Sequence, residues 1–462
     1  MEHLSVQLFG AAGTVTGSKH LVTTDGRQIL LDCGLFQGLK VLRERNWAPF
    51  PFDPAGLDAV VLSHAHVDHS GALPLLARRG YLGPIHCTTA TAELLHVMLL
   101  DAAHLQEEEA DFANRHRTSR HVPALPLYTT EDARAALGLV VPHDYGAPFD
   151  IGDVTVTFRP AGHILGSATV TLACGGRDRR VVAFSGDLGR YGRPILHDPQ
   201  PVAEADLLLI ESTYGDRLHP TGHIDELARI VTETAARNEF LLVPAFAVDR
   251  TQELLWVLRT LEDAGRIPTV PVFIDSPMAI DVTEIYARHP EDHDLDMRRL
   301  TDAGASPLAT RRLELLRTPE QSKSLNDRRG PAIVISASGM ATGGRVLHHL
   351  IRRLPDPHCV VLLVGYQAAG TRGRALQEGA PTLRIFNQEI TVRARVVTLD
   401  GFSAHADQHE LLRWLGGFTR PPRRTVAVHG EPQAADTFAG LVRHQLGWRA
   451  EAAEDRKRLV LE

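Results

Sequence analysis

The densest concentration of ligand chemistry in the chain is Ser63-His64-Ala65-His66-Val67-Asp68-His69-Ser70-Gly71. Three imidazoles and a carboxylate fall between residues 64 and 69. This borderline nitrogen and oxygen donor set suits Zn²⁺, with Mn²⁺ as the alternative. His64 and His66 stand two apart, so in extended chain their side chains point the same way. Asp68 and His69 follow as the chain turns into the amphipathic stretch ALPLLARR, closed by Gly80, and can face a second point nearby.

The same layout recurs along the chain. RPAGHILGS presents His163, VVAFSGDLG presents Asp187, LLLIESTYG presents Glu211, VVTLDGFSAHAD presents His405 and TVAVHGE presents His429. Each is a ligand-type side chain at or just past the C-terminal end of an apolar strand, mostly beside Gly, which allows tight turns and close backbone approach. Together they describe one rim. A different chemistry is suggested by AIVISASGMATGGR (332–345), which reads as strand, Gly-rich turn and helix start. Backbone N–H groups at such a turn can dock a phosphate, here with Ser336, Ser338, Gly339, Gly343 and Arg345, joined by Arg372 from GTRGR. It is not a Walker A loop, because no Gly-Lys-Ser/Thr follows. No aromatic-rich ribbon is visible, so base-specific reading of a nucleic acid is not expected.

The elements that must carry these groups follow from periodicity. Residues 6–10, 20–24, 28–32, 59–63, 154–159, 168–172 and 180–185 read as strands, and 91–120 as a helix with apolar positions at three- and four-residue steps. From about residue 206 the pattern becomes strand–helix repeats, with helices near 223–237, 248–262, 279–288 and 345–353, which argues for a parallel sheet with covering helices. After about 375 the strand-rich style returns. The expected organisation is one domain split in sequence, 1–205 and 375–462, with a second α/β domain, 206–374, inserted. Residues 289–330 are the expected irregular stretch.

Composition bounds the rest. A chain of 462 residues, 44% hydrophobic and 23% charged, is ordinary for a globular protein and excludes a disordered or fibrous one. A net charge of −7 means that a polyanion must meet a local positive patch. The cysteines, Cys33, Cys87, Cys174 and Cys359, are far apart, which fits a reducing cytoplasm and argues against disulfides or a thiolate zinc site. No apolar run approaches the roughly 18 residues of a membrane span, and the start, MEHLSVQLFG, does not read as a signal peptide.

HAHVDHSG followed in order by His163, Asp187, Glu211, His405 and His429 resembles the metallo-β-lactamase-fold nucleases of the β-CASP family, which includes the pre-mRNA 3′-end cleavage nuclease subunit and ribonuclease J. QILLDCGLFQG, PAFAVDRTQELL, SASGMATGGR and GYQAAGTRGRAL resemble family segments too, and the compact bacterial and archaeal members are the nearer match. The resemblance implies an αββα sandwich with an inserted β-CASP domain and two Zn²⁺. One ion would be held by His64, His66 and His163, the other by Asp68, His69 and His429, with Asp187 bridging. Asp32 would orient ligands from behind. His405 would be the general acid with Glu211 orienting it, these two and Asp68 forming the catalytic group. His429 favours RNA within the family. The resulting expectation is hydrolysis of single-stranded RNA in a cleft between the domains, leaving a 3′ hydroxyl and a 5′ phosphate. A DNA nuclease, another hydrolase of this fold and a catalytically silent RNA-binding subunit stay open, as does a homodimer.

Overall fold

The computed structural model describes residues 4–119, 121–175 and 179–461. They form two compact units: 1–193 with 197–218 and 405–462, and 194–196 with 219–404.

The first unit is built on two seven-stranded sheets. One runs, in spatial order, Arg458–Leu461, Leu4–Leu8, His20–Thr24, Arg27–Leu31, Ala59–Val61, Ile85–Thr88 and Val140–His143. The other runs Ala450–Ala452, Arg424–Val428, Leu207–Glu211, Arg180–Phe184, Ala168–Cys174, Val154–Pro160 and Phe149–Ile151. Their facing side chains, among them Val6, Val22, Ile29, Val61, Phe158, Val170, Phe184, Leu209 and Val428, share one core. Alternate residues of the second sheet, Ala183, Leu208, Ile210 and Ala427, turn outward onto Leu411, Trp414 and Phe438. These come from the helices Gln408–Leu415 and Pro432–Leu441. Strands buried on both faces read as continuous apolar runs, which is why LLLIE resembles a strand of the inserted unit. The long helix Thr89–His116 covers Ile85–Thr88 and Val140–His143 of the first sheet. The Thr88 side chain caps its first turn, and Arg117 ends it in the left-handed region. The unit is an αββα sandwich.

The second unit holds a six-stranded, all-parallel sheet in the order Leu313–Leu315, Val272–Ile274, Ala332–Ser336, Phe240–Pro244, Cys359–Val364, Arg395–Leu399. Phe240, Leu242, Val334 and Val361 pack there with Val346, Leu347 and Leu350 of the helix Arg345–Arg353.

The units change over at 218/219 and 404/405, later than the 205/206 and 374/375 read from the sequence. Strand pairing is the reason. Leu207–Glu211 lies parallel between Arg180–Phe184 and Arg424–Val428 of the first unit, whereas Arg395–Leu399 lies parallel to Cys359–Val364 of the second. The stretch 289–330 is also more regular than expected. Asp294 caps the helix Leu295–Asp302 and a Thr318–Gln321 capping box starts Pro319–Ser324; short caps of this kind substitute for apolar periodicity. Among the described residues no helix is long and apolar enough to cross a membrane, and all four cysteines are buried free thiols.

Candidate metal centre

His64, His66, Asp68 and His69 leave the strand Ala59–Val61 and enter the one-turn helix Val67–Ser70. This loop is stitched to the QILLDCG segment by Cys33 N–H to the His69 carbonyl, 2.7 Å, and Leu35 N–H to the Val67 carbonyl, 2.9 Å. Gly34 makes the approach possible, since a Cβ there would lie 1.6 Å from the Asp68 carbonyl oxygen. Likewise a Cβ on Gly189, beside Asp187, would lie 1.8 Å from the carbonyl oxygen of Gly162, beside His163.

The side chains these loops carry meet in two groups, with a third, Asp187, His405 and His429, overlapping them. The donor atoms of His64, His66, His163 and Asp187 all lie within 4.8 Å of one another, and so do those of Asp68, His69 and His429. His64 Nε2 is 3.1 Å from His66 Nδ1, which is 3.3 Å from His163 Nε2. His69 Nε2 is 3.0 Å from His429 Nε2, and Asp68 Oδ2 is 3.4 Å from the same His429 nitrogen. Asp187 Oδ2 reaches into both groups, 3.5 Å from His64 Nε2 and 3.4 Å from His69 Nε2.

These spacings fit zinc. Nitrogens about 2.0–2.1 Å from one tetrahedral ion stand about 3.3 Å apart. Burial pushes the His64 and His163 imidazoles well below their ordinary pKa, so both stand neutral with a lone pair to offer. Burial also opposes charge on His69, yet Asp187 and Asp32 raise it well above the ordinary value; negative charge is concentrated there. Asp187 Oδ1 lies 3.3 Å from His429 Nδ1, and the buried His163 Nδ1 has no hydrogen-bond partner among the described residues, a condition that proteins rarely leave uncompensated.

A ring of oxygens fixes which nitrogen faces inward. Asp32, fully buried, accepts from Ser63 N–H at 2.8 Å, Ser18 Oγ at 3.1 Å and Ser63 Oγ at 3.0 Å, and lies 2.7 Å from His69 Nδ1. The Ser63 hydroxyl gives its proton to Asp32, so towards His64 Nδ1, 3.0 Å away, it can only accept. Thr213 works the same way. Its hydroxyl donates to the His429 carbonyl at 3.0 Å and faces His429 Nδ1 at 3.1 Å. The proton is thereby placed on Nδ1 in all three rings, and Nε2 is left as the inward donor. The same Thr213 contact anchors His429 in left-handed backbone, φ 49°. Ser18, Ser63 and Thr213 escape a reading built on ligand types; their signal was adjacency, Ser63 directly before His64 and Thr213 two after Glu211.

His405 stands at the edge of this cluster. Its Nδ1 is 3.2 Å from both Glu211 oxygens and 3.9 Å from Asp187 Oδ2. Glu211 is fully buried and also accepts from the N–H groups of Leu188, 2.7 Å, and Thr213, 3.3 Å. Burial disfavours the imidazolium, but Glu211 and Asp187 outweigh it and raise His405 to about 9.

The residues read as a phosphate site lie in the second unit, and two of them need correction. Ser336 is fully buried and donates to the Asp275 carbonyl at 2.9 Å. Arg345 has its donors on Asp275 Oδ1, 2.7 Å, and on the carbonyls of Leu316 and Arg317, 2.9 and 2.7 Å. Both belong to the internal support of the turn. Arg372 turns Nε and Nη1 to the carbonyls of Arg384, Ala341 and Thr342. Gly339 is buried against the Phe246 ring, whereas Gly343 borders open space and Ser338 pairs its hydroxyl with Thr342.

Comparison with known proteins bears on the whole chain. Residues 27–242 match a beta-lactamase superfamily domain, 251–376 a Beta-Casp domain and 389–453 a Zn-dependent metallo-hydrolase RNA specificity domain. "Ribonuclease TTHA0252" of Thermus thermophilus is 42% identical over 92% of this chain and 93% of its own length. "Transcription termination factor FttA" of Methanocaldococcus jannaschii is 31% identical over 95% of this chain and 69% of its own length. Among solved structures, a protein of unknown function from Enterococcus faecalis superposes with a TM-score of 0.55 at 13% identity, over 99% of this chain and 100% of that one, a likeness of fold.

Proposed function

Because the chain belongs to the β-CASP metallo-β-lactamase family, we propose that it is a two-zinc ribonuclease acting on single-stranded RNA. The ribonuclease relative matched over nearly its whole length supports RNA hydrolysis over the termination-factor reading, whose bearers extend well beyond this chain. The RNA specificity domain match points the same way.

His64, His66, His163 and Asp187 would hold one ion, and Asp68, His69, His429 and Asp187 the other. Zinc bound there supplies Lewis-acid polarisation of the phosphodiester and a water acidic enough to attack at neutral pH. Asp32, Ser63 and Thr213 keep the imidazoles in the liganding tautomer. Glu211 retains the Nδ1 proton of His405, leaving Nε2 to hand a proton to the departing 3′ oxygen. The products are a 3′ hydroxyl and a 5′ phosphate.

The observation that carries this reading is the convergence of seven donor side chains, spread from residue 64 to 429, on two neighbouring points. The test combines metal analysis with end-labelled RNA sampled over time. The protein should carry about two zinc ions and cut the RNA, and an Asp68→Ala, His69→Ala variant should stay folded while losing metal and cleavage. Equal cleavage by the variant would overturn the mechanism.

A further inference from the structure

The sequence shows no run of aromatic residues, yet the fold assembles an aromatic pocket next to the metal loop. Phe9, Phe36 and Phe50 line a cavity of about 100 Å³ together with Lys19, Arg45 and Arg456. Phe52 extends the cluster, with ring centroids 5.8 Å from Phe9 and 5.4 Å from Phe50. The Phe36 ring carries Arg45 at 4.1 Å and Lys19 Nζ at 4.8 Å. Arg45 is held there by Asp455, 3.0 Å.

Lys19 is the unusual member. It is 6% exposed, its ammonium donates to the carbonyls of Gly34 and, at 3.4 Å, Gly17, and no carboxylate among the described residues pairs with it. A buried cation without a counter-charge is costly unless something polar completes it. Burial lowers it to about 8, so at neutral pH it remains a donor. The rim is exposed and mixed: Arg456, whose side chain is 73% exposed, lines it together with Asn46, Pro49 and Pro51.

We propose that this pocket takes a pyrimidine base of the single-stranded RNA, with an adjoining phosphate on Arg456, an inference that rests on the ribonuclease reading. Flat apolar walls with cations around them are how single strands are gripped without base pairing. The volume of about 100 Å³ is below the roughly 150 Å³ of a cavity known to hold a benzene ring, so a base enters only in part, through the open side, and one ring is accommodated more readily than a purine's two. The single buried donor suits the carbonyl oxygen that uracil and cytosine present. The pocket also shares its wall with the metal loop: Ser18 N–H donates to the Asp68 carbonyl at 2.9 Å, and Ala72 N–H to the Cys33 carbonyl at 2.9 Å.

The probe is fluorescently labelled oligouridine, oligoadenosine and an abasic strand of equal length, bound by the His405→Ala protein and followed by anisotropy. Oligouridine should bind tightest. Phe50→Ala should weaken it about 5- to 100-fold, as expected for one lost stacking contact, with little change for the abasic strand. Lys19→Met should erase the preference for uridine. Arg456→Ala, at an exposed position, guards against a folding defect at Phe50 and should weaken every strand, the abasic one included. Photocrosslinking of 5-iodouridine should label the peptide containing Phe36 or Phe50. Unchanged affinity in these variants, or crosslinks confined to other peptides, overturns the pocket and leaves the patch to a protein partner. If the wild type cleaves no RNA at all, the ribonuclease reading has failed instead.

Discussion

Among the described residues, two buried clusters of histidine, acid and hydroxyl can be set side by side, and only one of them has chemistry left over. In the second unit, Asp275 receives His349 Nε2 at 2.6 Å, Ser322 Oγ at 2.5 Å and Arg345 at 2.7 Å. Each donor is matched by an acceptor, and the charges close on themselves. In the first unit the hydrogen bonds run round the outside, through Asp32, Ser63 and Thr213, and the inward nitrogens and carboxylate oxygens face one another instead. Polar residues that satisfy each other support a fold. Polar residues held apart with lone pairs converging describe a site for something else.

The contrast can be broken from either side. The largest effect should come from Asp187→Asn, which removes the carboxylate common to both donor groups. Metal content and RNA cleavage should fall to background while the melting temperature stays within a few degrees. Dialysis against a chelator should copy this loss, and zinc or manganese should reverse it. His405→Ala should keep its metal and slow cleavage about 10²–10⁴-fold in single-turnover assays, the range for a lost general acid; loss of metal instead would make His405 a ligand. Asp275→Ala should invert the pattern. Breaking a buried charged network costs about 3–5 kcal/mol, read by calorimetry, with metal stoichiometry unchanged. Thr213→Val should weaken metal binding about 10- to 100-fold in chelator competition, and Thr213→Ser should restore it. Smallest of all, Asp281→Ala removes an exposed partner of Arg317 and should shift stability by less than about 1 kcal/mol.

Much of this was legible in the chain because chemistry and periodicity coincide there. His64 to His69 sit in one loop after one apolar strand, and the strands at 20–24, 28–32, 154–159 and 168–172 alternate or run apolar in the expected way. What stayed hidden is what only pairing decides. LLLIE looks the same whether it joins one parallel sheet or another, so the domain limits slipped. Ser336 and Arg345 stand beside glycines that suggest an anion, but Asp275, 61 residues before Ser336, claims both. The hydroxyls of Ser18, Ser63 and Thr213 become meaningful only once their distance to a ring nitrogen is known. Phe9, Phe36 and Phe50 are too far apart in sequence to read as one surface.

The parallel seat of Leu207–Glu211 between Arg180–Phe184 and Arg424–Val428 sets an order of events during synthesis. The strand that delivers His429 emerges from the ribosome more than two hundred residues after the one that delivers Glu211, with the whole parallel-sheet unit made in between. Until then the nascent polypeptide holds His64, His66 and His163 without their last companion. The donor set is therefore completed only after the parallel-sheet unit has been made.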